Sequence, residues 1–118
     1  MNYLTSRFEM IEKQITIPAN NRYSSISSKE AQFIYKLITK NITKTLEIGF
    51  GYGYSAAYIM LATKHTHVTI DPFQSKYENL GILNIKKLRL SSKLRPLPHC
   101  LKKQLALKRE AANQTKKK

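Results

Sequence analysis

Six residues form the pattern with the clearest chemical potential: Glu47, Gly49, Gly51, Gly53, Ser55 and Asp71. The three glycines alternate with Phe50, Tyr52 and Tyr54, directly after the β-prone run Thr45-Leu46-Glu47-Ile48. Glycines this dense indicate a backbone that turns tightly or lets a ligand come close. A helix-compatible stretch from Ser55 to Thr63 follows at once, so amides at a helix start would face the loop, as in nucleotide-type sites. A phosphate-cradling loop would end in Gly-Lys-Ser/Thr, which is absent. A dinucleotide fingerprint needs G-x-G-x-x-G, whereas the spacing here is G-x-G-x-G, with Tyr54 in the third glycine's place.

The two acids narrow the ligand. A carboxylate at Glu47, just ahead of the first glycine, would repel a pyrophosphate and suits a ligand carrying an ammonium group. Asp71 closes a second β-prone run, Val68-Thr69-Ile70, where an acidic side chain can accept hydrogen bonds from both ribose hydroxyls. A nucleoside with a cationic amino-acid tail satisfies both, and S-adenosylmethionine has that constitution. Bland readings stand beside this one. The glycines could form a plain turn, and Asp71 could merely cap a helix ahead of Pro72. Tyr52, Tyr54 and Tyr58 are expected to pack rather than to touch an acceptor. His65 and His67 are expected in a solvated turn between helix and strand, and Cys100, beside His99, is expected to be inert.

The surrounding elements can be read from spacing. Phe8, Ile11 and Ile15 suit a short amino-terminal helix ended by Pro18. Ser27 and Glu30 form a capping box ahead of Ala31, Ile34, Leu37 and Ile38, which predicts a helix from Ser28 to Lys40 with Asn41 as terminator. A second capping box, Ser75 with Glu78, predicts a helix reaching about Leu88. Helix, strand, glycine loop, helix, strand, helix implies a βαβ unit and a parallel sheet, an α/β fold with two strands. After Leu90 no β-prone run appears. Pro96, Pro98 and the terminal Lys116-Lys117-Lys118 mark a basic tail over 91–118, helical or disordered, with Leu101, Leu105 and Lys108 hinting at a weak apolar face.

The segment Leu46 to Ala56 resembles motif I of class I S-adenosylmethionine-dependent methyltransferases. Gly53-Tyr54-Ser55-Ala56 is most similar to the catechol and caffeoyl-CoA O-methyltransferase branch, and Ile26-Ser27 with Glu30 looks like that branch's approach to its pre-motif helix. Ile70-Asp71-Pro72-Phe73-Gln74 resembles the acidic motif at the end of the second strand in a related bacterial group. The resemblance covers about residues 22–90. It implies that Glu47 orients the methionine end, that Gly49, Gly51 and Gly53 line the loop beneath the cofactor, that Ser55 holds the methionine carboxylate, and that Asp71 binds the ribose. It also implies methyl transfer to a small-molecule acceptor, by preference at oxygen. The family's sheet has seven strands, so residues 1–90 read as the amino-terminal part of a Rossmann-like domain. A product truncated, or shifted in reading frame, after about residue 90 is the matching expectation. The metal-binding acids of the metal-dependent branch lack counterparts, since Glu110 is the only acid after Glu78; no metal and no catalytic base are assigned.

Composition excludes other classes. The chain has 118 residues, the size of one small domain, and a formal net charge of +14. Residues 1–80 hold 9 basic and 6 acidic side chains, and residues 81–118 hold 12 and 1, so the excess lies in the tail. That tail supports a rival function, nucleic-acid binding through phosphates, or a fragment of an RNA methyltransferase. Tyr77 is the last aromatic residue, however, so the tail offers no stacking platform. One cysteine excludes an internal disulfide, and no apolar run approaches the roughly 20 residues of a membrane helix. A soluble, cytoplasmic protein follows as the expectation. Unpaired sheet edges would call for a partner or a swapped dimer.

Overall fold

The computed structural model describes residues 2–40, 42, 44–97 and 109–115. Helix α1 (Tyr3–Gln14) starts at Asn2, whose side chain accepts from the Thr5 amide at 2.8 Å. Its apolar face is the one the spacing predicts: Ile11 and Ile15 are buried, and Phe8 packs edge-on to Tyr35 at 5.1 Å and against Tyr58 at 5.2 Å. Helix α2 (Ser28–Ile38) begins with the expected capping box. Ser27 Oγ accepts from the Glu30 amide at 3.2 Å, and Glu30 Oε2 accepts from the Ser27 amide at 2.7 Å. It stops two residues before Lys40, and the expected terminator Asn41 lies outside the described residues.

Strand β1 (Thr45–Ile48) leads through the glycine loop into helix α3 (Tyr54–Ala62), which returns the chain to strand β2 (His67–Ile70). Helix α3 is buried nearly all round. Ala56, Ala57, Tyr58 and Met60 have no exposed surface, and neither does Ala31 on the facing helix α2, where small side chains permit close approach. Helix α4 (Leu80–Lys87) and strand β3 (Leu94–Leu97) complete a parallel sheet of order β1-β2-β3. In register, Thr45, Leu46, Glu47 and Ile48 lie beside His67, Val68, Thr69 and Ile70.

Two expectations are corrected. The sheet has three strands, not two: Leu94–Leu97 pairs along β2, so part of the stretch read as a tail is sheet. Four residues containing Arg95 and Pro96 have little strand propensity of their own. Pairing with β2 forms the strand, and an edge position tolerates proline because the outward side needs no donor. The second capping box does not form. Gln74–Tyr77 is a 3₁₀ turn, Glu78 and Asn79 take left-handed backbone with φ of +54° and +57°, and α4 starts only at Leu80. That late start brings Gly81 against the glycine loop, a contact no local capping pattern encodes. Residues 109–115 are helical and exposed. The expectations for Cys100, His99, Leu101, Leu105, Lys108 and the terminal lysines lie outside the described residues. Among the described residues no helix is long and apolar enough to cross a membrane.

Candidate functional site

The glycine loop connects β1 to α3 with positive φ at each glycine: +86° at Gly49, +55° at Gly51 and +81° at Gly53. Side chains at these positions would strain the backbone by about 1 kcal/mol each or more. The Gly49 amide still bonds Ile70 O at 2.9 Å, so the loop leaves the sheet only after it. A Cβ at Gly49 or Gly51 would meet nothing within 4 Å. Gly53 differs, because its Cβ would lie 3.1 Å from Gly81 O and 3.2 Å from Phe50 Cζ. Two glycines therefore face open space, and the third lets α4 pack.

That open space belongs to a cavity of about 310 Å³. Glu47, Gly49, Gly51 and Ser55 line it together with Tyr52, Asn21 and others from the preceding turn. Ser55 Oγ donates to Glu47 Oε2, so the acid and the hydroxyl singled out in the sequence meet directly. The Glu47 side chain is 13% exposed and lines the cavity while both of its oxygens hold protein partners, Ser55 at Oε2 and His67 at Oε1. Helix α3 follows Gly53, which supplies no side-chain cap, so the positive end of the helix lies beside the loop.

Asp71 is placed differently. It follows β2, is nearly buried, and lines a neighbouring cavity of about 280 Å³ with Phe50, Thr69, Gln74 and Pro96. Its Oδ2 accepts from the Gly51 amide at 2.8 Å and from Gln74 Nε2 at 3.3 Å, and its Oδ1 accepts from the Phe73 amide at 2.9 Å. The structure thus joins Asp71 to the loop from behind, while Glu47 and Ser55 meet in front of it.

Several residues that hold the site carry no local signal. Gln74 Nε2 also donates to Gly51 O at 2.9 Å, tying the loop to the end of β2. Asn84 is buried on α4 and donates to Tyr52 O at 2.9 Å and to Thr16 O at 3.1 Å, joining α4, the loop and the chain after α1. His67 is corrected: it opens β2, is fully buried, and contacts Glu47 Oε1 through Nε2 at 3.3 Å. All three tyrosines are buried, and Tyr52 and Tyr54 also line the cavity. Tyr54 and Tyr58 both donate to Glu12 on α1, while Tyr52 accepts from Asn21 and lies edge-on to Tyr77. Burial, reinforced by the Glu12 contact, raises the Tyr58 phenol well above its usual range.

Comparison with solved structures decides the architecture. The O-methyltransferase from Bacillus cereus, solved with SAH, superposes with a TM-score of 0.61 at 20% identity, over 78% of this chain and 42% of that one. TomG from Streptomyces achromogenes, an O-methyltransferase of tomaymycin synthesis solved with SAM, gives 0.58 at 15% identity, over 81% and 42%. A Klebsiella pneumoniae protein assigned as an O-methyltransferase gives 0.62 at 15% identity, over 90% and 47%. The chain has a Rossmann-like α/β fold that matches part of the fold of these neighbours. It spans less than half the length of these neighbours. No protein-family profile and no curated protein matches the sequence.

Proposed function

We propose that this chain binds S-adenosylmethionine over the glycine loop and contributes that site to a methyltransferase acting on a small molecule, by preference at oxygen. The observation carrying the proposal is the pairing of Glu47 with Ser55 at a cavity where Gly49 and Gly51 leave their Cβ space open. That vacant space is what close approach of a ligand to backbone requires. At about 310 Å³ the cavity lies at the small end of the roughly 300–1,000 Å³ usual for small-molecule sites.

The residues fit the group chemically. The Glu47 carboxylate would meet the ammonium of the amino-acid end, and the backbone amides at the start of α3 would take its carboxylate, since the Ser55 hydroxyl hydrogen is already given to Glu47. Asp71 lines the neighbouring cavity rather than this one, and three donors already use most of the roughly four acceptor sites of its carboxylate, so it would support the site by holding the Gly51 amide rather than by binding the ribose directly. When bound, the group supplies an electrophilic sulfonium methyl; this chain's residues bind and orient, and such positioning accounts for much of the catalysis in bimolecular transfer.

Calorimetric titration with S-adenosylhomocysteine tests the proposal. Saturable binding at one site is expected, weakened at least tenfold by Glu47→Ala and abolished by Gly51→Val, whose side chain would fill the open space. Binding that survives both substitutions unchanged overturns the assignment.

A further inference from the structure

We propose that His67 is a positioning residue that fixes the orientation of the Glu47 carboxylate, and so prepares the site for the ligand's ammonium group. The inference rests on the cofactor reading above.

A histidine at the start of an interior strand needs a reason. An aliphatic side chain there would fill space with no polar atoms to satisfy, whereas a buried imidazole destabilises unless both nitrogens find partners. His67 has no exposed surface, and both nitrogens are partnered. Nδ1 lies 2.9 Å from Thr45 Oγ1, and Nε2 lies 3.3 Å from Glu47 Oε1. The parallel register creates this arrangement. Thr45 is directly beside His67, and Glu47 is two residues further along the same strand, so their side chains share one face of the sheet.

The chemistry of the partners fixes the proton. A carboxylate only accepts, so Nε2 carries a hydrogen and donates to Glu47; in the neutral ring Nδ1 then accepts from the Thr45 hydroxyl. Glu47 then has one oxygen bound to His67 and the other receiving Ser55, at the cavity where the loop glycines leave space. Two donors from different elements, β2 and α3, determine the plane of the carboxylate. Without His67, Oε1 would lose a partner in a part-buried position and the group would be free to rotate away.

Two measurements decide the matter. In long-range proton–nitrogen NMR spectra of the free chain, His67 is expected as the Nε2–H tautomer, with its ring signals displaced by Glu47→Ala. An Nδ1–H tautomer, or ring signals indifferent to Glu47→Ala, overturns the inference. In calorimetry with S-adenosylhomocysteine, His67→Leu is expected to weaken binding about tenfold, the scale of one net hydrogen bond. His67→Gln, which keeps a donor at similar reach, is expected to recover most of that loss. In the Glu47→Ala background His67→Leu is expected to add nothing, with thermal melts confirming that each variant is folded. Equal and additive losses in the two backgrounds mean that His67 acts through general packing, and the inference fails. If the unmodified chain does not bind S-adenosylhomocysteine, the cofactor reading fails instead, and the tautomer spectra still decide whether His67 fixes Glu47.

Discussion

Gly81→Ala is the substitution whose consequence follows most directly from the geometry. An added Cβ would lie 2.3 Å from Gly51 O, 2.7 Å from Phe50 Cε1 and 2.8 Å from Gln74 Oε1. The shortest of these is about an ångström inside van der Waals contact. Gly51 cannot retreat freely, because its amide is held by Asp71 Oδ2 at 2.8 Å and its carbonyl by Gln74 Nε2 at 2.9 Å. Relief therefore requires α4 to move off the loop or one of these bonds to break. Overpacking costs about 1–3 kcal/mol and a lost hydrogen bond about 1 kcal/mol. Better helix propensity returns at most about 1 kcal/mol. The net loss is about 2 kcal/mol, or a fall in Tm of about 8 °C for a domain of this size. Thermal melts followed by circular dichroism measure it, and S-adenosylhomocysteine affinity should fall with it because Gly51 is displaced. A Gly81→Ala chain as stable as the parent would refute the close packing of α4 on the glycine loop.

Other outcomes follow from single contacts. Asn84→Leu removes the partner of Thr16 O and Tyr52 O and should cost about 3 kcal/mol in urea denaturation, whereas a loss under 1 kcal/mol would mean those carbonyls are satisfied elsewhere. Ser27→Ala breaks the capping box of α2 and should cost about 1 kcal/mol in the same assay. The folded Tyr58 phenol is raised by burial first and by the Glu12 hydrogen bond second, while an unfolded tyrosine ionises near pH 10. Above that pH the unfolded chain gives up a proton that the folded chain retains, so stability falls as pH rises from about 10. Tyr58→Phe should flatten this decline between about pH 9 and 11; identical slopes for the two proteins would contradict it.

What the sequence revealed and what it hid differ in range along the chain. The glycine loop, the Ser27–Glu30 box and the Glu47–Ser55 pair are local, and each follows from a backbone angle or a short reach between neighbours. The order of strands and helices was readable from hydrophobic spacing for the same reason. Strand β3 was not, because Leu94–Leu97 depends on pairing with β2 rather than on its own propensity. His67 reads as a turn residue because it stands one position before the Val68-Thr69-Ile70 run, and only the register against β1, which sets it beside Thr45, brings its ring to Glu47. Gly81, Gln74 and Asn84 look unremarkable in their own segments. Their roles arise where α4 and the turn before it meet the loop, some 20 to 30 residues away in sequence. The sequence marks Asp71 as a candidate at the end of the second strand, but its attachment to the Gly51 amide depends on the fold of the loop. The charge divides as the counts indicated, with the recognisable site in the nearly balanced first 80 residues.

The chain contains only four glycines, Gly49, Gly51, Gly53 and Gly81, so selective nitrogen-15 labelling of glycine yields four assignable amide signals. Titration with S-adenosylhomocysteine while observing them is the most direct test of the central claim. The Gly49 and Gly51 signals should shift furthest, because both face the cavity, and Gly81 should shift least, because it is packed behind the loop. Four signals unmoved at millimolar ligand, or shifts confined to Gly81, would contradict the placement of the cofactor over this loop.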